Sequence, residues 1–335
     1  MKKKSRRVRV LAGIVATLAL LLGGCGWWMF RMPGKSWTGP LPELDAEGRA
    51  LRDRMRAHVE MLAGTIGPRN VFDRHGLDAA ERYVSAKFRG IGYEVDRQEF
   101  LADGDPVANL EATLSGGDRK DEILVLGAHY DSIPDGPAAD DNASAVAALL
   151  EIARALHGRT FPRTIRFVAF VNEEPPHFQK AEMGSLVYAR RCRDREERVT
   201  AMVSLETIGY YRDEPGTQKY PPPLGLVYPD TGNFIAFVGN MASRPLVHRT
   251  LEVFREKARF PSVGGALPGW LPGIGWSDHW SFWQAGYPAV MVTDTAPFRN
   301  PNYHLRSDLP DTLDYDRMAL VVEGVREVVE DLATR

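Results

Sequence analysis

The chain has 335 residues, of which 44% are hydrophobic and 26% are charged, and these values exclude a disordered or fibrous chain. Its 42 basic and 44 acidic residues nearly balance, which argues against a dedicated nucleic-acid-binding protein. Two cysteines are too few for a disulfide framework or a four-thiolate zinc site. The charges are unevenly distributed along the chain. Residues 1–9 hold six basic residues and no acid, so the rest of the chain carries an excess of acids.

The first predicted element is an apolar segment at residues 8–30, whose only charge is Arg9. A helix needs about 20 residues to cross the hydrocarbon core of a bilayer, and this segment is long enough. Trp27 and Trp28 stand near its end, as in an interfacial aromatic belt, and six basic residues precede most of it. The pattern predicts a single-pass anchor in the cell membrane. Residues 1–36 then form the cytoplasmic tail, the anchor and a short tether, and the domain of residues 37–335 lies outside.

Two alternatives to an uncleaved anchor remain. One is a cleaved signal peptide. The other is a lipoprotein signal, because residues 22–25 loosely resemble a lipobox that ends at Cys25. All three interpretations place the body of the protein outside the cytoplasm.

Beyond the tether, helical and strand patterns alternate along the chain. The predicted helices cover residues 43–62, 77–91, 143–156, 181–193, 245–257 and 317–332. The predicted strands or extended runs cover residues 93–101, 107–114, 123–128, 164–171, 201–205, 234–238 and 288–292. This alternation predicts one α/β domain with a mixed, mostly parallel central sheet flanked by helices. Proline and glycine interrupt the pattern at 210–225 and 260–278, which we expect to be long loops.

Metal-ligand residue types stand where three predicted strands end. His129 and Asp131 follow the first of these strands, Glu173 and Glu174 follow the second, and Glu206 follows the third. Because the carboxyl ends of parallel strands meet at one edge of a sheet, we expect these side chains to converge.

Three further candidates lie elsewhere in the sequence. Asp141 opens the helix after the first strand, and His304 and Asp308 lie far downstream. Taken singly, such residues are more often helix caps or solvated surface groups. Together they would crowd carboxylates without compensation unless a cation is present. Two histidines and three carboxylates suit zinc, and one remaining acid could serve as a general base.

Six short motifs, taken in order, resemble the zinc aminopeptidase family M28 over the region from about Arg52 to the C-terminus. These motifs are residues 127–132, 139–144, 172–174, 205–210, 277–279 and 303–304. The resemblance implies the zinc exopeptidase fold and a site for two zinc ions.

The resemblance also implies which residues hold the metals. His129 and Glu206 would bind one zinc ion, Glu174 and His304 would bind the other, and Asp141 would bridge the two.

Three further roles follow from the same resemblance. Glu173 would be the general base, Asp131 would orient His129, and Asp308 would orient His304.

The sequence departs from the common family pattern in three places. Glu206 stands where aspartate is more usual, residues 175–177 interrupt the turn after Glu174, and Ala145 replaces a frequent glycine. None of these changes removes a ligand type, so we expect an active enzyme.

The sequence also suggests four residues for a substrate pocket. Asp278 and His279 precede a short aromatic segment, and Tyr210 and Trp276 could form an apolar wall. A structural loop with a capping aspartate, together with core packing, explains the same four residues almost as well.

The leading hypothesis is a membrane-anchored aminopeptidase with two zinc ions, acting on peptides. A glutaminyl cyclase-like acyltransferase with one zinc is the alternative enzyme, since that reaction also occurs on this fold. A non-catalytic metal-binding ectodomain is the third possibility. Glu173 beside Glu174 argues against it, because a structural metal site has no use for a free base. The sequence does not determine the oligomeric state or distinguish zinc from cobalt or manganese.

Overall fold

The structure is a computed structural model that describes residues 23, 24, 26 and 29–335. Most of the apolar segment at residues 8–30, including Cys25, lies outside these described residues. Among the helices that are described, none has the length and apolar character needed to span a membrane.

Eight strands form one mixed sheet, in the order β1-β2-β4-β3-β5-β8-β6-β7. The strands are β1 Val95–Ala102, β2 Asp105–Leu114, β3 Arg119–His129, β4 Arg163–Phe170, β5 Arg198–Glu206, β6 Ile235–Asn240, β7 Ser262–Leu267 and β8 Ala289–Thr293. The four central strands, β4, β3, β5 and β8, are parallel to one another, whereas β1, β2 and the β6–β8 pair introduce antiparallel neighbours. The predicted mixed α/β sheet is confirmed.

Helices cover both faces of this sheet. In the described part of the chain they are α1 Ala46–Val59, α2 Arg74–Ile91, α3 Ala145–Leu156, α4 Gly184–Asp194, α5 Arg244–Lys257, α6 His279–Gln284 and α7 Tyr315–Thr334. Alternate residues of β3 point to opposite faces, as the pleat of a strand requires. Leu124 and Leu126 belong to the large core beneath α1, α2, α3, α5 and α7. Ile123 and Val125 belong to the smaller core beneath α4 and α6.

The two ends of α2 show how the local sequence determines where a helix begins and ends. The Asp73 side chain accepts a hydrogen bond from the Gly76 backbone N–H and caps the first turn. Gly92 ends the helix at φ 117°, a left-handed conformation that residues with a side chain rarely adopt. The helix therefore stops at Ile91, as the sequence predicts.

The predicted loop at 260–278 contains strand β7, so this expectation was wrong. Gly264 and Gly265 interrupt the apolar pattern by which the strand could be recognised. A Cβ atom on Gly264 would lie 2.6 Å from Leu251 Cδ2 of α5, so the glycine permits close packing of the helix on the strand. The segment at 210–225 is irregular apart from the start of one short helical turn, Leu224–Leu226, as expected.

Residues 31–36 run against the domain. The Arg255 guanidinium donates a hydrogen bond to the Pro33 carbonyl at 2.7 Å, and Ser36 Oγ accepts one from the Ser262 backbone N–H at 2.8 Å. The tether is therefore fixed to α5 and β7. The domain boundary at residue 36 stays a prediction.

Candidate metal centre

Three adjacent parallel strands deliver the acids and histidine to one edge of the sheet. β3 ends at His129, β5 ends at Glu206, and Glu173 and Glu174 follow β4. The order β4-β3-β5 makes these three ends neighbours, which is the arrangement expected from the strand pattern. All four side chains are buried.

Asp141 lies between two histidines. It belongs to the segment Ala139–Ser144, where its backbone is not helical, and it precedes α3. Its Oδ1 is 3.2 Å from His129 Nε2, and its Oδ2 is 3.1 Å from His304 Nε2. Glu206 Oε2 lies 3.4 Å from His129 Nε2, and Glu174 Oε2 lies 3.4 Å from His304 Nε2. Two groups of three possible ligands thus share Asp141, and within each group the ligand atoms lie within 4.8 Å of one another.

The polar atoms of this cluster fit a pair of divalent cations. Both nitrogens of His129, Asp141 Oδ1 and Glu174 Oε1 are buried and have no hydrogen-bond partner within the part of the chain that the structure describes. Burial and the Asp141 carboxylate raise the pKa of Glu174 to about 7, and burial also raises the pKa of Glu206. Uncompensated carboxylates are costly to bury together, and nitrogen and oxygen ligands in this number suit zinc.

Glu173 stands beside this cluster. Its Oε2 is 3.8 Å from His129 Nε2, and it belongs to neither of the two ligand groups. Burial raises the pKa of Glu173 well above its ordinary value, although the nearby His129 opposes this shift. A buried carboxyl with a raised pKa is suited to accept and return a proton.

Asp131 connects two of the strand ends. Its carboxylate accepts backbone hydrogen bonds from Glu173 at 3.2 Å and Glu174 at 3.1 Å, and it lies 3.4 Å from His129 Nδ1. Asp131 therefore fixes the acidic pair and lies beside the histidine, and the orienting role that the resemblance implies stays a prediction.

Asp308 supports a different residue from the one expected. Its carboxylate accepts hydrogen bonds from the backbone N–H groups of Asp140 and Asp141, at 3.0 to 3.2 Å. The hydrogen bonds of Asp308 thus hold the turn that presents Asp141, where the resemblance implied a role at His304.

Two supporting residues were not singled out from the sequence. Ser277 Oγ donates a 2.7 Å hydrogen bond to Glu206 Oε2. Asn142 donates to the Leu205 carbonyl and accepts from the Thr207 backbone N–H, so it ties the turn of Asp141 to the end of β5. Both lie inside the six motifs, where their hydrogen-bonding side chains could have indicated a supporting role.

Arg69 is a third such residue, and no pattern marks it. It is fully buried, and its guanidinium donates to the backbone carbonyls of Gly67, Tyr130, Pro137 and Ala138. It closes the loop that joins β3 to the turn of Asp141.

A separate histidine lies between two acids outside the centre. His177 Nε2 is 3.4 Å from Asp103 Oδ2, whereas His177 Nδ1 is 3.3 Å from Glu182 Oε2. Because different ring nitrogens face the two carboxylates, the arrangement links the β1–β2 turn to the loop after β4.

An apolar cavity adjoins Glu206. Its wall includes Leu224, Tyr228, Ile274 and Trp276. The cavity is thus continuous with the centre through a possible metal ligand.

Of the four pocket residues suggested by the sequence, only Trp276 lines this cavity. Tyr210 is buried and accepts a hydrogen bond from Arg212, and His279 is buried with Nε2 2.7 Å from the Ile274 carbonyl. Asp278 is fully buried, and burial raises its pKa to about 7.

The α/β sheet and the paired ligand groups at its parallel strand ends are typical of metal-dependent hydrolases. The sequence profile of peptidase family M28 matches residues 109–329. The chain belongs to peptidase family M28, and the resemblance carried by the six motifs is confirmed.

Similar sequences come from bacteria and fungi. YfbL, an uncharacterized protein of Escherichia coli strain K12, is 38% identical over 298 residues, covering 86% of this chain and 90% of YfbL. A probable leucine aminopeptidase of Arthroderma otae is 29% identical over 223 residues, covering 63% of this chain and 52% of that protein. The match thus spans about half the length of the fungal relative. Family membership and such relatives support a peptide hydrolase.

Solved structures share the fold. The LapA aminopeptidase of Legionella pneumophila has a TM-score of 0.68 at 20% identity, covering 89% of this chain and 78% of that chain. A glutaminyl cyclase of Fimbriiglobus ruber has a TM-score of 0.61 at 22% identity, covering 90% of this chain and 99% of that chain. At these identities the likeness concerns the architecture alone.

Proposed function

We propose that the protein is a zinc aminopeptidase that removes N-terminal residues from peptides with the help of two metal ions. The observation that carries the proposal is the position of Asp141, whose two oxygens lie 3.2 Å and 3.1 Å from two different histidines. Each histidine has a second carboxylate beside it, so a single bridging residue serves two complete ligand groups.

In this proposal His129 and Glu206 hold one zinc ion, Glu174 and His304 hold the other, and Asp141 bridges them. Bound zinc would polarise the scissile carbonyl and lower the pKa of a coordinated water.

Glu173 performs the proton transfers. Its carboxylate takes a proton from the attacking water and later delivers a proton to the amine that leaves. Its burial supports this role, because a raised pKa makes the carboxylate a stronger base than one in water.

The first side chain of the substrate enters the apolar cavity beside Glu206. Leu224, Tyr228, Ile274 and Trp276 offer aliphatic and aromatic contacts there. Burying an apolar side chain in such a cavity is favourable by about 2 kcal/mol, so apolar N-terminal residues are preferred.

The decisive experiment combines metal analysis with a panel of aminoacyl chromogenic substrates on the full chain in detergent. The proposal expects two zinc ions per chain, activity lost on chelation, and faster release from leucyl and phenylalanyl than from glutamyl substrates. Metal-replete protein without activity on any aminoacyl substrate would refute it.

Glutaminyl cyclisation is the second candidate, supported by the similar architecture of the Fimbriiglobus ruber enzyme. It expects one tightly bound zinc and conversion of an N-terminal glutamine to pyroglutamate. The two ligand groups that share Asp141 favour hydrolysis with two ions. A solely structural metal site would have no use for Glu173.

We also propose that residues 8–30 anchor the enzyme in the cell membrane, with the domain outside. The support is the length of the apolar segment and the basic residues at its start. Mass spectrometry of the purified protein tests this, because an anchor retains the N-terminus whereas signal cleavage or lipidation at Cys25 removes it.

A further inference from the structure

The apolar segment at residues 8–30 ends against a small hydrophobic cluster of the domain. Met29 and Phe30 pack against a cluster built on Leu224, Leu267 and Ile274. The Phe30 ring lies edge-on to Tyr228, with ring centroids 5.8 Å apart. The place where the N-terminal segment joins the domain is therefore defined. We call the domain residues of this contact the rim cluster, namely Leu224, Tyr228, Leu267, Leu271 and Ile274.

Two loops that build the rim cluster also carry large exposed apolar side chains. Leu226, which lies between Leu224 and Tyr228, is 89% exposed, and Trp270, which precedes Leu271 of the rim cluster, is 81% exposed. Apolar side chains this prominent on neighbouring loops are characteristic of an interaction surface.

We propose that the loops at 220–228 and 268–276 rest on the lipid bilayer that holds the N-terminal segment, with Leu226 and Trp270 inserted into its interfacial layer. The proposal rests on the membrane anchor proposed above. Tryptophan is enriched at membrane interfaces, and the transfer of an aliphatic side chain out of water lowers the free energy.

The tether leaves little freedom for another orientation. Phe30 packs on the rim cluster, and Pro33 and Ser36 are held by hydrogen bonds to α5 and β7. A segment that leaves the bilayer at residue 30 therefore brings the rim cluster to the membrane surface. This connection favours a bilayer over a second protein as the occupant.

The same loops form the wall of the apolar cavity. Leu224 and Tyr228 come from the first loop, and Ile274 and Trp276 come from the second. Docking of these loops would bring the cavity close to peptides adsorbed at the bilayer surface. This substrate class deepens the proposed aminopeptidase function and depends on it.

Fluorescence quenching in vesicles tests the docking. The full chain carrying Cys25→Ser receives either Leu226→Cys or Trp270→Cys, each labelled with a small fluorophore, in phosphatidylcholine vesicles that contain brominated lipid. Cys192 is fully buried, and burial raises its pKa to about 12, so it stays unlabelled. The control is Leu101→Cys, because Leu101 is also exposed but lies on β1, at the opposite edge of the sheet from β7.

Several-fold stronger quenching at positions 226 and 270 than at position 101 is expected. Equal quenching at the three positions, strong or weak, would overturn the proposal.

A second measurement separates docking from catalysis. Leu226→Asp combined with Trp270→Asp changes two side chains that do not line the cavity. Cleavage of a soluble aminoacyl substrate should stay within about twofold of wild type, whereas cleavage of a lipidated, vesicle-bound peptide should fall about tenfold. Equal rates on the bound peptide for wild type and variant would contradict the proposed use of the surface. If wild type cleaves neither substrate, the aminopeptidase function fails, and the quenching result still decides the docking.

Discussion

Glu173 and Glu174 are neighbours in sequence, but their carboxylates face different histidines. Glu174 Oε2 is 3.4 Å from His304 Nε2, whereas Glu173 Oε2 is 3.8 Å from His129 Nε2. Asp131 accepts hydrogen bonds from both backbone N–H groups and fixes this divergence. At the scale of single residues, the two carboxylates can therefore have separate duties.

Replacing each glutamate by its amide separates these duties. Glu173→Gln removes the proton acceptor and should lower kcat by a factor of about 10² to 10⁴ while the zinc content stays unchanged. Glu174→Gln weakens a ligand and should lower the zinc content as well. Kinetics and metal analysis on the same samples measure both effects. Wild-type activity in Glu173→Gln would eliminate the proposed base.

Ser277 gives a second prediction at this scale. Its hydroxyl donates a 2.7 Å hydrogen bond to Glu206 Oε2, so Ser277→Ala frees this ligand to move. Affinity for one of the two proposed zinc ions should fall about 10- to 100-fold. Titration with a competing chelator measures it. Ser281→Ala is the matched control, because Ser281 is also buried and its hydroxyl hydrogen-bonds Ser185 instead. Equal affinities in the two variants would argue against a supporting role for Ser277.

At the scale of elements, a buried carboxylate joins α3 to α1. Glu151 on α3 lies 2.6 Å from Arg54 Nε and 3.1 Å from His58 Nε2, both on α1. Burial acts to raise the pKa of Glu151, but hydrogen bonds from His58 and Arg54 outweigh it and lower this pKa to about 2. The contact therefore stabilises the fold when the Glu151 carboxylate is ionised.

This contact predicts a pH dependence of stability. Because the folded-state pKa of Glu151 is depressed, its contribution is fully present above the unfolded value of about 4.3 and is lost as the pH falls towards 2. Glu151→Gln should lower the free energy of unfolding by about 3 kcal/mol at pH 7 and by about half as much at pH 3.

Urea unfolding at both pH values measures the effect. The control is Glu99→Gln, because Glu99 pairs with Arg97 on the surface and should contribute less than about 0.5 kcal/mol. A Glu151→Gln loss that does not change with pH would show that the ionised pair is not its source.

The sequence indicated most elements and the ligand cluster for different reasons. Strong hydrophobic periodicity marked strands such as β3 and helices such as α2. Chemical type at strand ends marked His129, Glu174 and Glu206, whereas the ligand roles of Asp141 and His304 came from the motifs that resemble family M28. Strand β7 was not predicted because Gly264 and Gly265 have no side chains to show a pattern. The cavity was not predicted because its wall joins loops that are distant in sequence. Which aromatic residues face the cavity depends on packing that no local pattern records, and of the four residues suggested only Trp276 lies there.

At the scale of the whole molecule, the centre joins elements that are far apart in sequence. Asp141, Glu174, Glu206 and His304 come from four separate segments, and their carboxylates repel one another without cations. Chelation should therefore lower the Tm, and binding at a thousand times the Kd is equivalent to about 4 kcal/mol of stability. Thermal unfolding with and without chelator, followed by restoration with zinc, measures this. An unchanged Tm would contradict preferential binding of zinc by the folded chain.

The buried Arg69 affects how much of the chain a working enzyme needs. The region that matches the family profile begins at residue 109, but the guanidinium that gathers the Tyr130, Pro137 and Ala138 carbonyls comes from residue 69. A chain shortened to the matched region would leave these carbonyls unsatisfied at the loop between His129 and Asp141. The structure that supports the metal centre therefore extends upstream of the matched region, at least as far as residue 69.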